Sequence, residues 1–129
     1  GRIADFGSHK IEHELSALYD VAHGAGLAAI FPAWMKHVYK EDMERFIQFA
    51  VRVFDVDLPF TSPKEIVLEG IRRLTDFFGE IGLPTTLKEL NIPSDRLEEM
   101  AERCVQRGPV GSFRKLQKND VLEILRLAL

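Results

Sequence analysis

Three of the four histidines in this 129-residue chain lie between positions 9 and 23. His9 and His13 are four residues apart, so on a helix they would share one face, with their backbones about 6 Å apart. His23 follows ten residues after His13 and would begin the next helix. Neutral imidazole is a good ligand for zinc, iron and other borderline metals. The pattern therefore predicts a metal site, provided that the two helices meet at residues 20–22.

The residues around these histidines limit the kind of metal site. A catalytic metal takes about three or four protein ligands and keeps an open position, so three histidines could suffice. Glu12 and Glu14 flank His13 but should point about 100° to either side of it, so neither is expected to complete the ligand set. The order also differs from the His-Glu-x-x-His motif of metalloproteases. Because histidine pairs also occur by chance on amphipathic helices, spacing alone leaves a structural role equally open.

Helices must position these histidines, because helical periodicity dominates the chain. Ser62, Pro63 and Glu65 predict a helix start with a serine cap, a proline in the first turn and a capping box. Pro32 is expected to kink the second helix or to mark a joint. The predicted fold class is all-α, an irregular bundle of about six helices, over residues 8–19, 23–39, 42–54, 63–81, 94–107 and 118–127, with a short helix at 86–90.

Composition indicates one globular domain. Apolar residues make up 46% of the chain and charged residues 29%, which supports a continuous core and a solvated surface. The net charge of -3 includes no basic patch that would favour nucleic acid, and no apolar run is long enough to span a membrane. The single cysteine, Cys104, cannot form an internal disulfide and suits a reducing compartment. We therefore expect a soluble, cytoplasmic protein.

Several other side chains are assigned roles from their surroundings in the sequence. His37 is expected to be a surface or partly buried side chain rather than a metal ligand. Gly24 and Gly26 are expected to allow the close approach of another group. Cys104 is expected to be a buried structural thiol. Five aromatic side chains are assigned to the core: Phe46, Phe49, Phe54, Phe77 and Phe78.

Residues 8–35, SHKIEHELSALYDVAHGAGLAAIFPAWM, strongly resemble the signature region of the iron-type (group III) alcohol dehydrogenases. That signature has one histidine, a second histidine four residues later, and a His-Gly pair that opens a helix ending near a proline. Residues 31–35 and the later segment 77–87, FFGEIGLPTTL, are most similar to the NAD(P)H-dependent butanol dehydrogenase branch. The first motif is long and specific, and the second is weaker but independent.

The resemblance implies the C-terminal helical domain of a two-domain enzyme, with a dehydroquinate synthase-like fold. A divalent metal, Fe2+ or Zn2+, would lie in the cleft between this domain and an N-terminal α/β domain that binds NADH or NADPH. By motif position, His9 and His23 would be metal ligands. His13 would lie near the nicotinamide and relay the hydroxyl proton. Because the chain opens almost directly on this motif, we interpret Gly1 as a domain cut, with an aspartate and a further histidine ligand missing.

The implied activity interconverts primary alcohols and aldehydes by hydride transfer, with the metal acting as a Lewis acid on the substrate oxygen. With only two of four ligands, the 129-residue chain alone is expected to be inactive. The expected partners are a small alcohol or aldehyde and the N-terminal domain, and a homodimer stays open.

Two other functions also stay open. The chain could be a non-catalytic helical metal-binding or interaction module. It could also be a different metal-dependent enzyme that uses His9, His13 and His23 together and completes its site between subunits.

Overall fold

The computed structural model of the chain describes residues 6–56, 62–111 and 114–129, without the side chains of the first two. Short 3-10 turns at Tyr39–Asp42 and Ser94–Arg96 precede two of the helices. Within the described ranges, the β pairing is an isolated antiparallel bridge between Val110 and Leu116. The predicted all-α fold class is confirmed. The six α-helices of these ranges are α1 (Phe6–Tyr19), α2 (His23–Val38), α3 (Met43–Phe54), α4 (Pro63–Glu80), α5 (Leu97–Cys104) and α6 (Lys118–Leu127).

The central helix of the bundle is α2, which packs against α1, α4 and α6. Its side chains are buried on several sides, including Ile30, Trp34 and Met35 at 0% exposure. A helix of this kind is stable only inside a core, and burying a side chain such as Ile30 contributes roughly 1.5–3 kcal/mol. Neither α2 nor any other described helix is long and apolar enough to cross a membrane. Because α2 is held by the core, the position of its first residue, the partly exposed His23, is fixed as well.

The serine cap and the first-turn proline predicted at the start of α4 are confirmed. Ser62 is its N-cap and Pro63 lies in its first turn, and the Glu65 amide donates a hydrogen bond to Ser62 Oγ at 3.3 Å. Farther along, α4 approaches α3 closely at Gly70. A Cβ at Gly70 would lie 2.5 Å from the Cβ of Ala50, so a residue without a side chain is needed for this contact.

One sequence expectation before α5 is wrong. Residues 86–90 form a hydrogen-bonded turn rather than a short helix, in which the Glu89 amide donates to Thr86 Oγ at 3.1 Å. So short a segment gains too few backbone hydrogen bonds to offset the cost of helix nucleation.

Pro32 does not divide α2, which continues as one helix from His23 to Val38 with the proline buried inside it.

The helix predicted at residues 94–107 is shorter than expected. Ser94 belongs to a 3-10 turn and does not cap α5 with its side chain, and the α-helical part covers Leu97–Cys104 only. Tight turns follow, and they lead to Gly108 with φ of 114°. Val105, in these turns, still packs against the core.

The aromatic core is confirmed except at Phe77. Phe46 is fully buried, and Phe78 packs against the core from a partly buried position. Phe77 is 40% exposed, because it lies about 100° around the helix from Phe78. The buried stripe of α4 runs through Ile71 and Leu74 and continues to Phe78.

Candidate metal centre

The turn at residues 20–22 folds α2 back against α1. Asp20 adopts a left-handed conformation with φ of 54°, which aspartate tolerates better than most residues. Its amide donates to the Ser16 carbonyl at 3.0 Å and ends α1. The Gly26 amide donates to the Ala22 carbonyl at 2.9 Å in the first turn of α2. The two helices therefore meet, as the predicted metal site required.

His9 and His23 face each other across this corner. Nδ1 of His9 lies 3.3 Å from Nε2 of His23, and the ring planes are tilted by 36°. His9 is half-buried, and the His23 side chain is 47% exposed. One ring projects from α1 and the other from the first residue of α2, so two packed helices hold the pair.

His13 lies beside this pair without a facing nitrogen of its own. Its ring centroid is 5.5 Å from that of His23, with the planes tilted by 44°, and its side chain is exposed. In the part of the chain that the structure describes, no three His, Cys, Asp or Glu side chains form a group that could hold a metal. The structure thus brings all three rings together, and the two nitrogens that face each other at 3.3 Å belong to His9 and His23.

Glu12 is part of this arrangement, and the sequence reasoning missed it. Its side chain is fully buried. One carboxylate oxygen contacts Nδ1 of His23, and the other accepts a hydrogen bond from Ser16 Oγ at 2.6 Å. A Cβ at Gly26 would overlap this carboxylate. The expected close approach at Gly26 is therefore real, and the approaching group is Glu12.

The sequence does contain a signal for Glu12. Glu12 and Ser16 are spaced i, i+4, which brings their side chains together on a helix. Glu12 points away from His13 as expected, but that direction leads toward α2 rather than toward solvent. A glycine in the first turn of the following helix leaves room for it.

The facing nitrogens fit a single metal ion. Two nitrogen ligands at about 2.0–2.1 Å from a tetrahedral ion lie about 3.3–3.4 Å apart, and the His9 and His23 nitrogens are 3.3 Å apart. Imidazole nitrogens that carry no proton are ligands for both iron and zinc. Two ligands leave further coordination positions to be filled from outside these two helices.

An apolar cavity of about 280 Å³ opens beside His9. Its apolar lining includes Leu27, Phe31, Phe78 and Leu83. Phe31 stacks on the buried ring of Trp34, with centroids 5.7 Å apart. At Gly24, another lining residue, no atom lies within 4 Å of the position that a Cβ would take. The wall next to His9 is therefore apolar and open.

A second, more polar cavity of about 490 Å³ lies beside His13. Glu14 and Arg103 form an ion pair along it, with Nε and Oε2 3.2 Å apart. Cys104 also lines this cavity and is half-buried. Burial, with a smaller contribution from the charge of Glu14, raises the pKa of the Cys104 thiol to about 12. The thiol stays protonated near neutral pH, so it is a poor nucleophile.

His37, near the other end of α2, is separate from this cluster. It is partly buried, as expected, and its Nε2 lies 2.8 Å from Oδ1 of Asp120 on α6.

Comparisons with known proteins agree on one family. The whole chain, residues 1–129, matches the profile described as "Fe-containing alcohol dehydrogenase family, C-terminal". It is 42% identical to a probable NADH-dependent butanol dehydrogenase 1 of Bacillus subtilis, covering 100% of this chain and 33% of the relative. It is 36% identical to NADH-dependent butanol dehydrogenase A of Clostridium acetobutylicum, covering 98% and 33% respectively.

The fold also matches solved structures. A crystal structure of NADH-dependent butanol dehydrogenase A from Thermotoga maritima superposes with a TM-score of 0.88 at 36% identity, covering 98% of this chain and 33% of that one. The aldehyde reductase YqhD of Escherichia coli has the same fold, with a TM-score of 0.89 at 22% identity, covering 97% of this chain and 33% of that one. The chain spans about a third of the length of these relatives. It belongs to the iron-containing alcohol dehydrogenase family and corresponds to the family's C-terminal helical domain.

Proposed function

We propose that the chain is the metal-binding helical half of an NAD(P)H-dependent alcohol dehydrogenase of the butanol type. The enzyme would interconvert primary alcohols and the corresponding aldehydes. The observation that supports this most directly is the 3.3 Å separation of the facing His9 and His23 nitrogens. The names of the relatives supply the substrate class and the cofactor. The chain spans a third of those relatives, and in this proposal a dinucleotide-binding domain completes the site.

In this proposal, His9 and His23 hold a divalent ion, Fe2+ or Zn2+. When bound, the ion supplies Lewis-acid polarisation of the substrate oxygen, and the nicotinamide supplies the hydride chemistry. The protein's contribution is to hold the two imidazoles on packed helices in the required orientation. The apolar cavity beside His9 would receive the alkyl chain of the substrate, with Phe31 and Leu27 on its wall.

We assign His13 the role of proton relay beside the nicotinamide. Its ring is exposed and one helical turn from His9, so it can exchange a proton with solvent while facing the cleft. An imidazole exchanges protons readily near neutral pH. In the complete enzyme, His13→Ala should lower turnover and change its pH profile, and normal turnover with an unchanged profile would refute the relay.

The test of the main proposal is reconstitution. The 129-residue chain alone should show no butanal-dependent oxidation of NADH or NADPH. A fusion of this chain to the N-terminal two thirds of the 42% identical Bacillus subtilis relative should show it, and the same fusion with His23→Gln should not.

Activity of the chain alone would contradict the proposed half-site. A folded, NADH-binding and metal-loaded fusion that lacks activity would favour a non-catalytic module. Light scattering of the active fusion would test for a homodimer, and cell fractionation would test the cytoplasmic location expected from one free cysteine.

A further inference from the structure

We propose that Glu12 is a positioning residue that fixes the orientation and the tautomer of His23, so that the Nε2 lone pair points toward His9. The inference deepens the proposed function, because it explains how one of the two proposed metal ligands is prepared before any metal binds.

The first argument comes from hydrogen-bonding capacity. A carboxylate oxygen accepts a hydrogen bond from an imidazole N–H, so its contact with Nδ1 of His23 favours the tautomer that carries the proton on Nδ1. A neutral imidazole carries one N–H, so Nε2 is then left with a lone pair. That nitrogen is the one that lies 3.3 Å from Nδ1 of His9. Metal-binding histidines commonly donate their other N–H to a carboxylate or a carbonyl, which fixes ring and tautomer alike.

The second argument comes from burial. The side chain of Glu12 has 0% exposure, whereas that of His23 is 47% exposed. The buried Glu12 carboxylate is therefore held in place by the core, while the His23 ring that it contacts is partly open to solvent. The second carboxylate oxygen lies 2.6 Å from Ser16 Oγ, which also lies 2.9 Å from the Val21 carbonyl oxygen. The space that holds this carboxylate exists because residue 26 has no side chain.

The third argument is a contrast with the neighbouring glutamate. Glu14 lies two residues farther along α1 and forms its ion pair with Arg103 on α5. It lines the cavity beside His13. Two acidic side chains on the same helix thus have different tasks, and Glu14 serves as a matched control.

The decisive experiment measures the tautomer of His23 in the metal-free 129-residue chain. Long-range 1H–15N NMR distinguishes protonated from unprotonated ring nitrogens, and at about pH 9 an ordinary histidine is neutral. We expect His23 in the unmodified chain to be protonated at Nδ1 and unprotonated at Nε2. A dominant Nε2–H form in the unmodified chain would overturn the proposal without any variant.

Three variants test whether Glu12 determines the tautomer of His23. Glu12→Met keeps the side-chain volume but removes the acceptor, so His23 should become a mixture of both tautomers. Glu12→Gln should restore the Nδ1–H form, because its carbonyl can accept from His23 while its amide donates to Ser16. Glu14→Gln should leave the His23 signals unchanged. A pure Nδ1–H form in folded Glu12→Met would also overturn the proposal.

Zinc binding supplies the second readout. Loss of a group that orients a metal ligand typically weakens metal binding by about 10–100-fold. We expect a loss of this size for Glu12→Met in an NMR titration with Zn2+, and near-normal affinity for Glu12→Gln and Glu14→Gln. Equal affinity in all four chains would contradict the positioning role. The tautomer result needs neither metal nor turnover. A folded, NADH-binding and metal-loaded fusion without activity would contradict the proposed dehydrogenase function but would not affect this inference.

Discussion

The two ends of α2 carry the same chemical pair in two different settings. Near the start of the helix, His23 contacts Glu12 of α1, and near its end His37 contacts Asp120 of α6. In the first pair the carboxylate is fully buried while the imidazole side chain is 47% exposed. In the second pair both side chains are 18% exposed. A histidine and a carboxylate in contact therefore do not define a site.

The surroundings of each carboxylate explain the difference. Asp120 also accepts from the Gln117 amide at 2.9 Å and from Arg114 at 3.1 Å, so it caps α6 and joins several segments. Glu12 has His23 and Ser16 as its hydrogen-bond partners among the described contacts. The imidazole that contacts Glu12, His23, has a second nitrogen, Nε2, which faces the ring of His9. That facing nitrogen distinguishes a candidate ligand from a structural histidine.

The largest expected effect separates the two histidines directly. His23→Gln keeps a donor for Glu12 but removes the imidazole lone pair, so the affinity for Zn2+ should fall by more than about 100-fold, beyond the loss expected for a residue that only orients a ligand. His37→Gln should leave the affinity unchanged. NMR titration with Zn2+ measures both, and a comparable loss in the two variants would abolish the distinction.

The next effect concerns the space that holds the buried Glu12. Gly26→Ala would place a Cβ on the carboxylate and should destabilise the fold by about 1–3 kcal/mol, as overpacking does. Gly24→Ala, two residues earlier in the same helical turn, meets nothing within 4 Å and should stabilise by up to about 1 kcal/mol. Urea unfolding measures both, and equal stabilities would show that Glu12 is not confined as described.

The smallest expected effect concerns the stability of the fold in acid, to which the pair of His37 and Asp120 contributes. Burial alone would raise the pKa of Asp120, but the Gln117 amide, His37 and Arg114 together lower it below its usual value of 3.8. The stability that this carboxylate provides is therefore complete well above pH 3.8 and is lost as pH falls through the lowered pKa.

The matching variant is Asp120→Asn, which should make the free energy of unfolding less steep with pH below about 4. Because such partly exposed pairs contribute about 1 kcal/mol or less, urea unfolding at several pH values is the suitable measurement. An identical pH dependence in the variant and the parent chain would show that Asp120 does not carry this acid sensitivity.

The sequence predicted the parts of the fold that depend on local interactions. The start of α4 at Ser62 and Pro63 was predictable because caps act within one turn. The break at residues 20–22 was also predicted, whereas the approach of α1 and α2 was only a condition of the predicted metal site. The separate roles of His9, His13 and His23 came from the family resemblance and stay predictions.

The remaining features depend on contacts between elements. The contact of Glu12 with His23 was missed because a helical projection shows a direction but not what lies there, and this partner follows eleven residues later. The turn at residues 86–90 was misjudged because five residues can satisfy a helical pattern without nucleating a helix.

The burial of α2 also links folding with metal occupancy. Because the core holds the helix that carries His23, the orientation of this proposed ligand is set when the domain folds, and unfolding would disperse both imidazoles. An ion that binds only the folded chain stabilises it by mass action, by about 2.7 kcal/mol at a concentration 100 times the dissociation constant. The melting temperature of the domain would then report how much of it is loaded with metal, even in the absence of a dinucleotide or an alcohol.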